Sequence, residues 1–398
     1  MAILYENIDP DGDTLIIISY PSEASQGAGE PAPVSEEIAV AEPEVADEPL
    51  AIEDTESVDY HTISSEIVQE SSTELRLKVS KKHLTVAARR ARIMFEGEYR
   101  ETQKSKVDGF YHWPIQPLFD SEAVKIVMKI IHAQTQDLPD EVTLEMIVSI
   151  AEVVDDLQCH EALSFFVKAW IGRLFWPIPI SMCDEVVQWI FIASVFGLDE
   201  KFKEATRVAV MHSTGPIDSL GLPMRPDILD KIEQKRQETL EELTDQLHGV
   251  LDNLCSGRAC HVFACRSMML GALTQDMHKK GLGSPRPARP FNNMSLFSTL
   301  ETVRQLESPM LYLSPEDDPG SMHDPSYGKT KDVSIRLENH SASSVWKKKH
   351  RKELLKQAEN AASSHIPKVT AHLCCLQDIL KPGVDGLEAR VEGLSLDH

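Results

Sequence analysis

The apolar residues between Glu74 and Leu163 change their spacing several times, and the order of these changes constrains the fold more than any other feature of the chain. Within residues 75–79 every second residue is apolar, which is the period of a half-buried strand. From Lys82 to Arg100 the spacing becomes that of a helix, with a break at Gly97. The pattern therefore predicts a strand that leads directly into a pair of helices.

A second extended run and three helices are predicted next. Residues 110–115 are rich in aromatic residues and contain Pro114, which favours the end of a strand or the edge of a sheet. Ser121 has the character of a helix N-cap. The amphipathic helices predicted after the second strand cover 121–132, 142–157 and 162–170.

Four motifs in this order carry a family resemblance. They are residues 11–18 as a first strand, 77–84 as a strand entering its helix, 119–124 with 130–132, and 150–159 ahead of Leu163. The ordered set resembles the BTB/POZ domain, in particular its divergent fungal type. The resemblance implies an α+β domain with a small sheet and helices, oligomerisation with itself or another BTB protein, and, in some relatives, delivery of substrates to a cullin-type ubiquitin ligase.

The resemblance and the composition together predict the domain organisation. Residues 1–20 plus 74–163 are expected to form the BTB/POZ-like domain. Residues 21–72 contain 14 acidic and no basic residues, out of a net charge of −23, so 21–73 is expected to be a disordered acidic insertion. Residues 164–280 are expected to form an all-α extension, and 281–398 a mostly disordered C-terminal region.

One predicted helix of the extension can be interpreted either as a coiled coil or as a helix packed within the chain. Pro226 suits the first position of a long helix that reaches about Leu254. Leucine and valine residues recur along its second half with the 3-4 spacing of a coiled coil. Two heptads are fewer than a coiled coil requires, so packing against neighbouring helices of the same chain is the favoured interpretation.

A short segment after the second strand is the candidate partner-binding site. In relatives that bind a cullin, the loop and helix after the last strand carry a hydrophobic-x-acidic signature, which Leu118, Phe119 and Asp120 match loosely. The following helix offers Lys125 and Lys129 on its exposed side. An apolar anchor such as Phe119 or Leu118 would dominate the interface energy, and the alternative is that either residue belongs to the core.

The sequence offers little support for metal or catalytic chemistry. The four potential metal ligands that lie closest together are Cys255, Cys260, His261 and Cys265. A tight C-x2-C pair is missing and the surroundings are apolar and rich in methionine, so buried thiols without a metal are the favoured interpretation. Cys374 and Cys375 are interpreted as ordinary thiols. No catalytic motif is found, so neither enzyme activity nor a cofactor is expected.

The charge pattern and the termini favour an intracellular protein, nuclear or cytoplasmic. No signal peptide or membrane partner is expected, and seven irregularly spaced cysteines suit a reducing compartment. The dense basic run, Lys347, Lys348, Lys349, Arg351 and Lys352, is either a nuclear localisation signal or a solvated helix start. The favoured function is a non-enzymatic interaction module or adaptor. The alternative is a nuclear regulator that contacts nucleic acid through this run, although the acidic chain makes nucleic acid an unlikely partner.

Overall fold

The computed structural model describes residues 2–20, 73–173, 177–313 and 370–396. The chain divides into two compact units, of which the first comprises residues 1–142 and 153–165 and the second comprises 143–152 and 166–398. The first unit contains a small mixed sheet, and helices dominate the described part of the second. The protein is therefore of the α+β class, as the sequence predicts.

The sheet of the first unit has four strands in the order β1-β3-β2-β4. The strands are β1 Ala2–Asn7, β2 Thr14–Tyr20, β3 Thr73–Val79 and β4 Tyr111–Ile115. β2 pairs antiparallel with β3, whereas β1 is parallel to β3 and β4 is parallel to β2. The antiparallel pair confirms that the strands on either side of the acidic segment belong to one sheet. β1 was not predicted.

The turn before β2 depends on a glycine. A Cβ atom at Gly12 would lie 2.7 Å from the carbonyl oxygen of Val79, which is closer than real Cβ contacts allow. The missing side chain lets residues 9–13 pass directly over the end of β3. Ile16 and Leu77 then stand opposite each other in the two strands, and both are fully buried.

Three helices pack with this sheet: α1 Lys81–Ala87, α2 Arg89–Glu96 and α3 Ser121–Ile131. The helix pair expected over 82–100 is present, but the two helices separate at Ala88, which adopts an extended conformation, and not at Gly97. The N-cap of α3 is Asp120 and not Ser121, since the Asp120 carboxylate accepts a hydrogen bond from the Ala123 N–H at 2.8 Å.

The described helices that follow α3 are α4 Leu144–Leu157, α5 His160–Arg173, α6 Asp184–Phe196, α7 Asp199–His212, α8 Pro226–Cys255, α9 Phe263–Lys279, α10 Leu296–Arg304 and α11 Leu376–Arg390. Pro226 is at the start of α8, as predicted. The α8 leucines Leu240, Leu243, Leu247 and Leu254 are buried, and α8 contacts α7, α9, α10 and α11. The leucine seam is therefore packed within the second unit.

Within residues 281–398, regular structure is present in the two stretches that the structure describes. Residues 281–313 include α10, and 370–396 include α11. A short antiparallel pair joins β5 Tyr312–Leu313 to β6 Thr370–Ala371. The acidic residues 21–72 and the basic run of residues 347–352 lie outside the described residues.

Candidate functional site

The β1 edge, which we define as Ile3, Leu4 and Tyr5, carries a continuous exposed apolar surface. These side chains are 53%, 58% and 55% exposed. Successive side chains of a strand point to opposite faces, so β1 leaves apolar groups open on both faces of the sheet. The backbone of β1 pairs with β3 on one side, and among the described residues no strand pairs with its other side. This surface is available to a partner.

The opposite edge of the same sheet is protected. It is formed by β4, where Pro114 has no N–H to donate to an added strand. An antiparallel bridge between Lys104 and Tyr111 also covers the beginning of β4. Prolines and charged residues are common defences against edge-to-edge association, and no charged residue lies among Ile3, Leu4 and Tyr5. Ile3, Leu4 and Tyr5 therefore lack the protections that Pro114 and the Lys104 bridge give to β4.

The three residues of the predicted partner-binding segment lie in different environments. Leu118 is 74% exposed and does not belong to the core. Phe119 is half-buried, and its carbonyl accepts a hydrogen bond from the Tyr20 hydroxyl at 3.0 Å. Asp120 caps α3, so its carboxylate already has a structural role. Of these residues, Leu118 is the side chain most accessible to a partner.

The two predicted lysines hold α3 to β1. The Nζ atom of Lys129 lies 3.4 Å from a Glu6 carboxylate oxygen, and that of Lys125 lies 3.9 Å from the other. Lys125 also pairs with Glu122. These contacts neutralise Glu6 at the end of the β1 edge. The lysines therefore support the apolar edge and are not a separate charged patch.

Four sulfur and nitrogen atoms converge in the second unit. We call Cys260, Cys265, His372 and Cys374 the Cys/His cluster, because one ligand atom from each lies within 4.8 Å of every other. Cys260 Sγ is 3.3 Å from His372 Nε2, although 112 residues separate them. Cys265 is buried, and Cys260 and Cys374 are half-buried. Three thiols and an imidazole of this kind have the donor set of a soft metal ion.

The backbone positions the two halves of the cluster. Cys265 lies in the first turn of α9, and Cys260 lies two residues before its N-cap, Val262. His372 directly follows β6, and its N–H donates to the Leu311 carbonyl at 2.8 Å. The Leu376 N–H donates to Ser308 Oγ at 3.0 Å, which fixes the chain just after Cys374. Hydrogen bonds therefore flank both sides of the 372–374 segment.

Burial and the Cys260 thiol raise the pKa values of the other two thiols in the cluster. Burial raises the pKa of Cys265, and the neighbouring Cys260 and Cys374 raise it further. Burial also raises the pKa of Cys374, with Cys260 acting in the same direction. The raised pKa values favour the neutral thiols, and a bound cation would reverse this preference.

Asp9, His83 and His132 form a second group of potential metal ligands in the first unit. Hydrogen bonds to the backbone occupy both ring nitrogens of His132. His132 Nε2 lies 2.9 Å from the Ser80 backbone N–H, which is an obligatory donor. Nδ1 lies 2.8 Å from the Met128 carbonyl oxygen, so this nitrogen carries the proton. Both ring nitrogens of His132 are thus used to join α3 to the start of α1.

Half of the Cys/His cluster could be found by sequence spacing. Cys260 and Cys265 were considered together with Cys255 and His261, but the latter two are exposed and lie outside the cluster. The structure supplies His372 and Cys374 in their place. The H-x-C spacing was the available signal, and it is too common to identify a site without the fold.

Comparison with known proteins adds no relative: no protein-family model matches the sequence, and no curated protein matches it. Among the described residues, no helix has the length and apolar character needed to cross a membrane.

Proposed function

We propose that this chain is a non-enzymatic interaction protein that forms a homodimer through the β1 edge. The observation that carries the proposal is the uncharged, exposed apolar surface of Ile3, Leu4 and Tyr5 at an unprotected sheet edge. Such an edge is a template for pairing with another strand. The resemblance to the BTB/POZ domain, a family of oligomerising modules, supports the same function.

A second copy of the chain suits this edge because β1 is self-complementary. In an antiparallel pair centred on Leu4, the two copies of Leu4 face each other, and Ile3 faces Tyr5 of the second copy. Every contact in this core is apolar, and cross-strand aromatic and β-branched pairs of this type stabilise sheets. The arrangement has two-fold symmetry, which closes the assembly at two chains.

Glu6, the charged residue nearest to the core of the β1–β1 pair, does not oppose the pairing of the two strands. Glu6 follows Tyr5, and in this register it faces Ala2 of the second copy and not another carboxylate. Lys125 and Lys129 already balance its charge within each chain. Like charges therefore do not oppose each other across the two-fold axis.

Sedimentation equilibrium of the full chain tests this function with a matched pair of variants. Leu4→Lys places a charge in the edge, and Leu118→Lys places the same charge at another exposed leucine of the first unit. We expect the unmodified chain and Leu118→Lys to be dimers and Leu4→Lys to be a monomer, with equal circular dichroism spectra. A monomeric unmodified chain, or a dimeric Leu4→Lys variant, would contradict the proposal.

A second candidate is an adaptor role in which Leu118 contacts a cullin. The 74% exposure of Leu118 favours this role over a core role for that side chain. The same two variants separate the adaptor role from the dimer. Leu118→Lys should lose capture of a cullin, whereas Leu4→Lys should keep the Leu118 contact and still capture it. Equal capture by the unmodified chain and Leu118→Lys, or no capture by either, would remove the adaptor role.

The nuclear alternative rests on residues 347–352, which lie outside the described residues. It stays a prediction with its own test. Replacing the basic residues of this run with alanine should shift a fluorescent fusion of the full chain towards the cytoplasm. An unchanged distribution would leave the run as a solvated helix start.

A further inference from the structure

We propose that Cys260, Cys265, His372 and Cys374 bind a structural zinc ion. The site is independent of the proposed dimer, since it is built entirely from residues of the second unit. It is also a different ligand set from the one that sequence spacing suggests, because Cys255 and His261 are replaced by His372 and Cys374.

The geometry fits a tetrahedral ion. Zinc binds thiolate sulfur at about 2.3 Å, so sulfur ligands on a tetrahedron stand roughly 3.8 Å apart. The four ligand atoms of the cluster all lie within 4.8 Å of one another, and the Cys260 Sγ to His372 Nε2 separation is 3.3 Å. Only small side-chain movements are needed to place all four atoms around one centre.

The ligand chemistry selects zinc among the common metals. Calcium and magnesium prefer oxygen ligands, whereas three sulfurs and one imidazole nitrogen form the Cys3His set of structural zinc sites. The four-residue spacer between Cys260 and Cys265 is within the range found in such sites. All four positions are filled by protein, so the site is closed and structural, without an open position for substrate.

A second layer of contacts supports the ligands. The Val262 backbone N–H lies 3.4 Å from Cys260 Sγ, a contact that stabilises a thiolate and orients it. The hydrogen bonds of His372 and Leu376 hold the other half of the site to residues 308–311. Zinc displaces the thiol protons on binding and compensates the negative charges that otherwise repel.

The role of the ion follows from the large sequence separation between the ligands that it joins. It ties the start of α9 to the segment that leads into α11, across more than a hundred residues. α11 packs against α8 and α10, so the metal would fix the last described helix in the second unit. Because such a site does not exist in the unfolded chain, its binding free energy contributes directly to folding.

Native mass spectrometry and elemental analysis test the site on the full chain, purified under reducing conditions without chelator. We expect one zinc per chain. His372→Ala and Cys374→Ser should reduce the bound zinc by about tenfold or more, whereas the matched controls Cys255→Ser and Cys375→Ser should keep it. His372→Cys, which restores a fourth ligand, should retain the metal and so separates ligand loss from misfolding.

Cobalt provides a spectroscopic check. Co²⁺ exchanged into the unmodified chain should show the visible bands of a tetrahedral site and a thiolate charge-transfer band, and His372→Cys should intensify the latter. A metal-free chain from zinc-supplemented cells that also gives no cobalt spectrum would overturn the proposal. A mass deficit of two hydrogens that a reductant reverses, assigned to these cysteines, would overturn it in favour of a disulfide.

Discussion

The guanidinium of Arg236 and the carboxylate of Glu233 form a two-pronged ion pair one turn apart in α8, with N–O distances of 2.7 and 2.8 Å. Arg236 is fully buried and also donates to the carbonyls of Met294 at 2.7 Å and Pro290 at 3.0 Å. Burial acts to raise the pKa of Glu233, but hydrogen bonds from Arg236 and Gln237 outweigh it, so the pKa is lowered. A single side chain thus anchors the 290–294 segment.

Arg236→Met is expected to lower the free energy of unfolding by about 3–5 kcal/mol, because it leaves Glu233 and the buried carbonyls without their partner. Urea denaturation measures this. Arg289→Met is the matched control, since the ion pair between Arg289 and Glu241 of α8 is solvent-exposed and is expected to contribute at most about 1 kcal/mol. Equal losses in the two variants would show that Arg236 is not an anchor.

His132 is expected to make the stability of the first unit depend on pH. Burial lowers its pKa, the neighbouring His83 acts in the same direction, and Asp9 opposes them. The unfolded chain therefore takes up the proton first, so stability falls as the pH drops below about 6.5 and stops falling below the lowered folded pKa. Protonation also removes the acceptor for the Ser80 N–H.

Thermal melts across this pH range test the role of His132. His132→Ala should lower the free energy of unfolding by about 1–3 kcal/mol at neutral pH, because the Ser80 N–H and the Met128 carbonyl lose a partner. The variant should also have a flatter pH profile than the unmodified chain. His160→Ala serves as the control, since His160 is an exposed histidine of the first unit. A pH profile unchanged by His132→Ala would contradict the assignment.

The acidic segment is expected to be dispensable for folding. Tyr20 and Thr73 are register partners at the adjoining ends of β2 and β3, so a short connection can join the two strands. Replacing 22–72 with a short Gly-Ser linker should preserve the cooperative melt, because loop closure depends only weakly on length. Loss of the melt in this variant would mean that the segment contributes to the fold.

The sequence predicts those parts of the fold in which a regular apolar period coincides with burial. The β2–β3 pair, the edge position of β4 and the long helix α8 are of this kind. β1 lacks this signal because its apolar residues are consecutive and exposed. Its partner strand, β3, begins far along the chain at Thr73, so nothing near β1 in the sequence indicates the pairing. A strand held mainly by backbone hydrogen bonds leaves no alternation to detect.

The candidate sites were predictable to different degrees. Leu118 was identified from a loose motif, and its exposure agrees with a contact role. The Cys/His cluster was missed because its two halves come together only through the β5–β6 pair and the packing of α11. The order of residues 290–294 was not predictable, because Arg236 holds them through backbone carbonyls, which have no sequence signature.

Amide hydrogen exchange in residues 3–7 tests most directly whether β1 pairs with β1 of a second copy. In β1 every second N–H points away from β3, and no strand among the described residues pairs with these groups, so a partner strand would protect them. We expect their exchange to slow as the concentration of the full chain rises, and to become independent of concentration in Leu4→Lys. Fast exchange at every concentration in the unmodified chain would contradict this pairing.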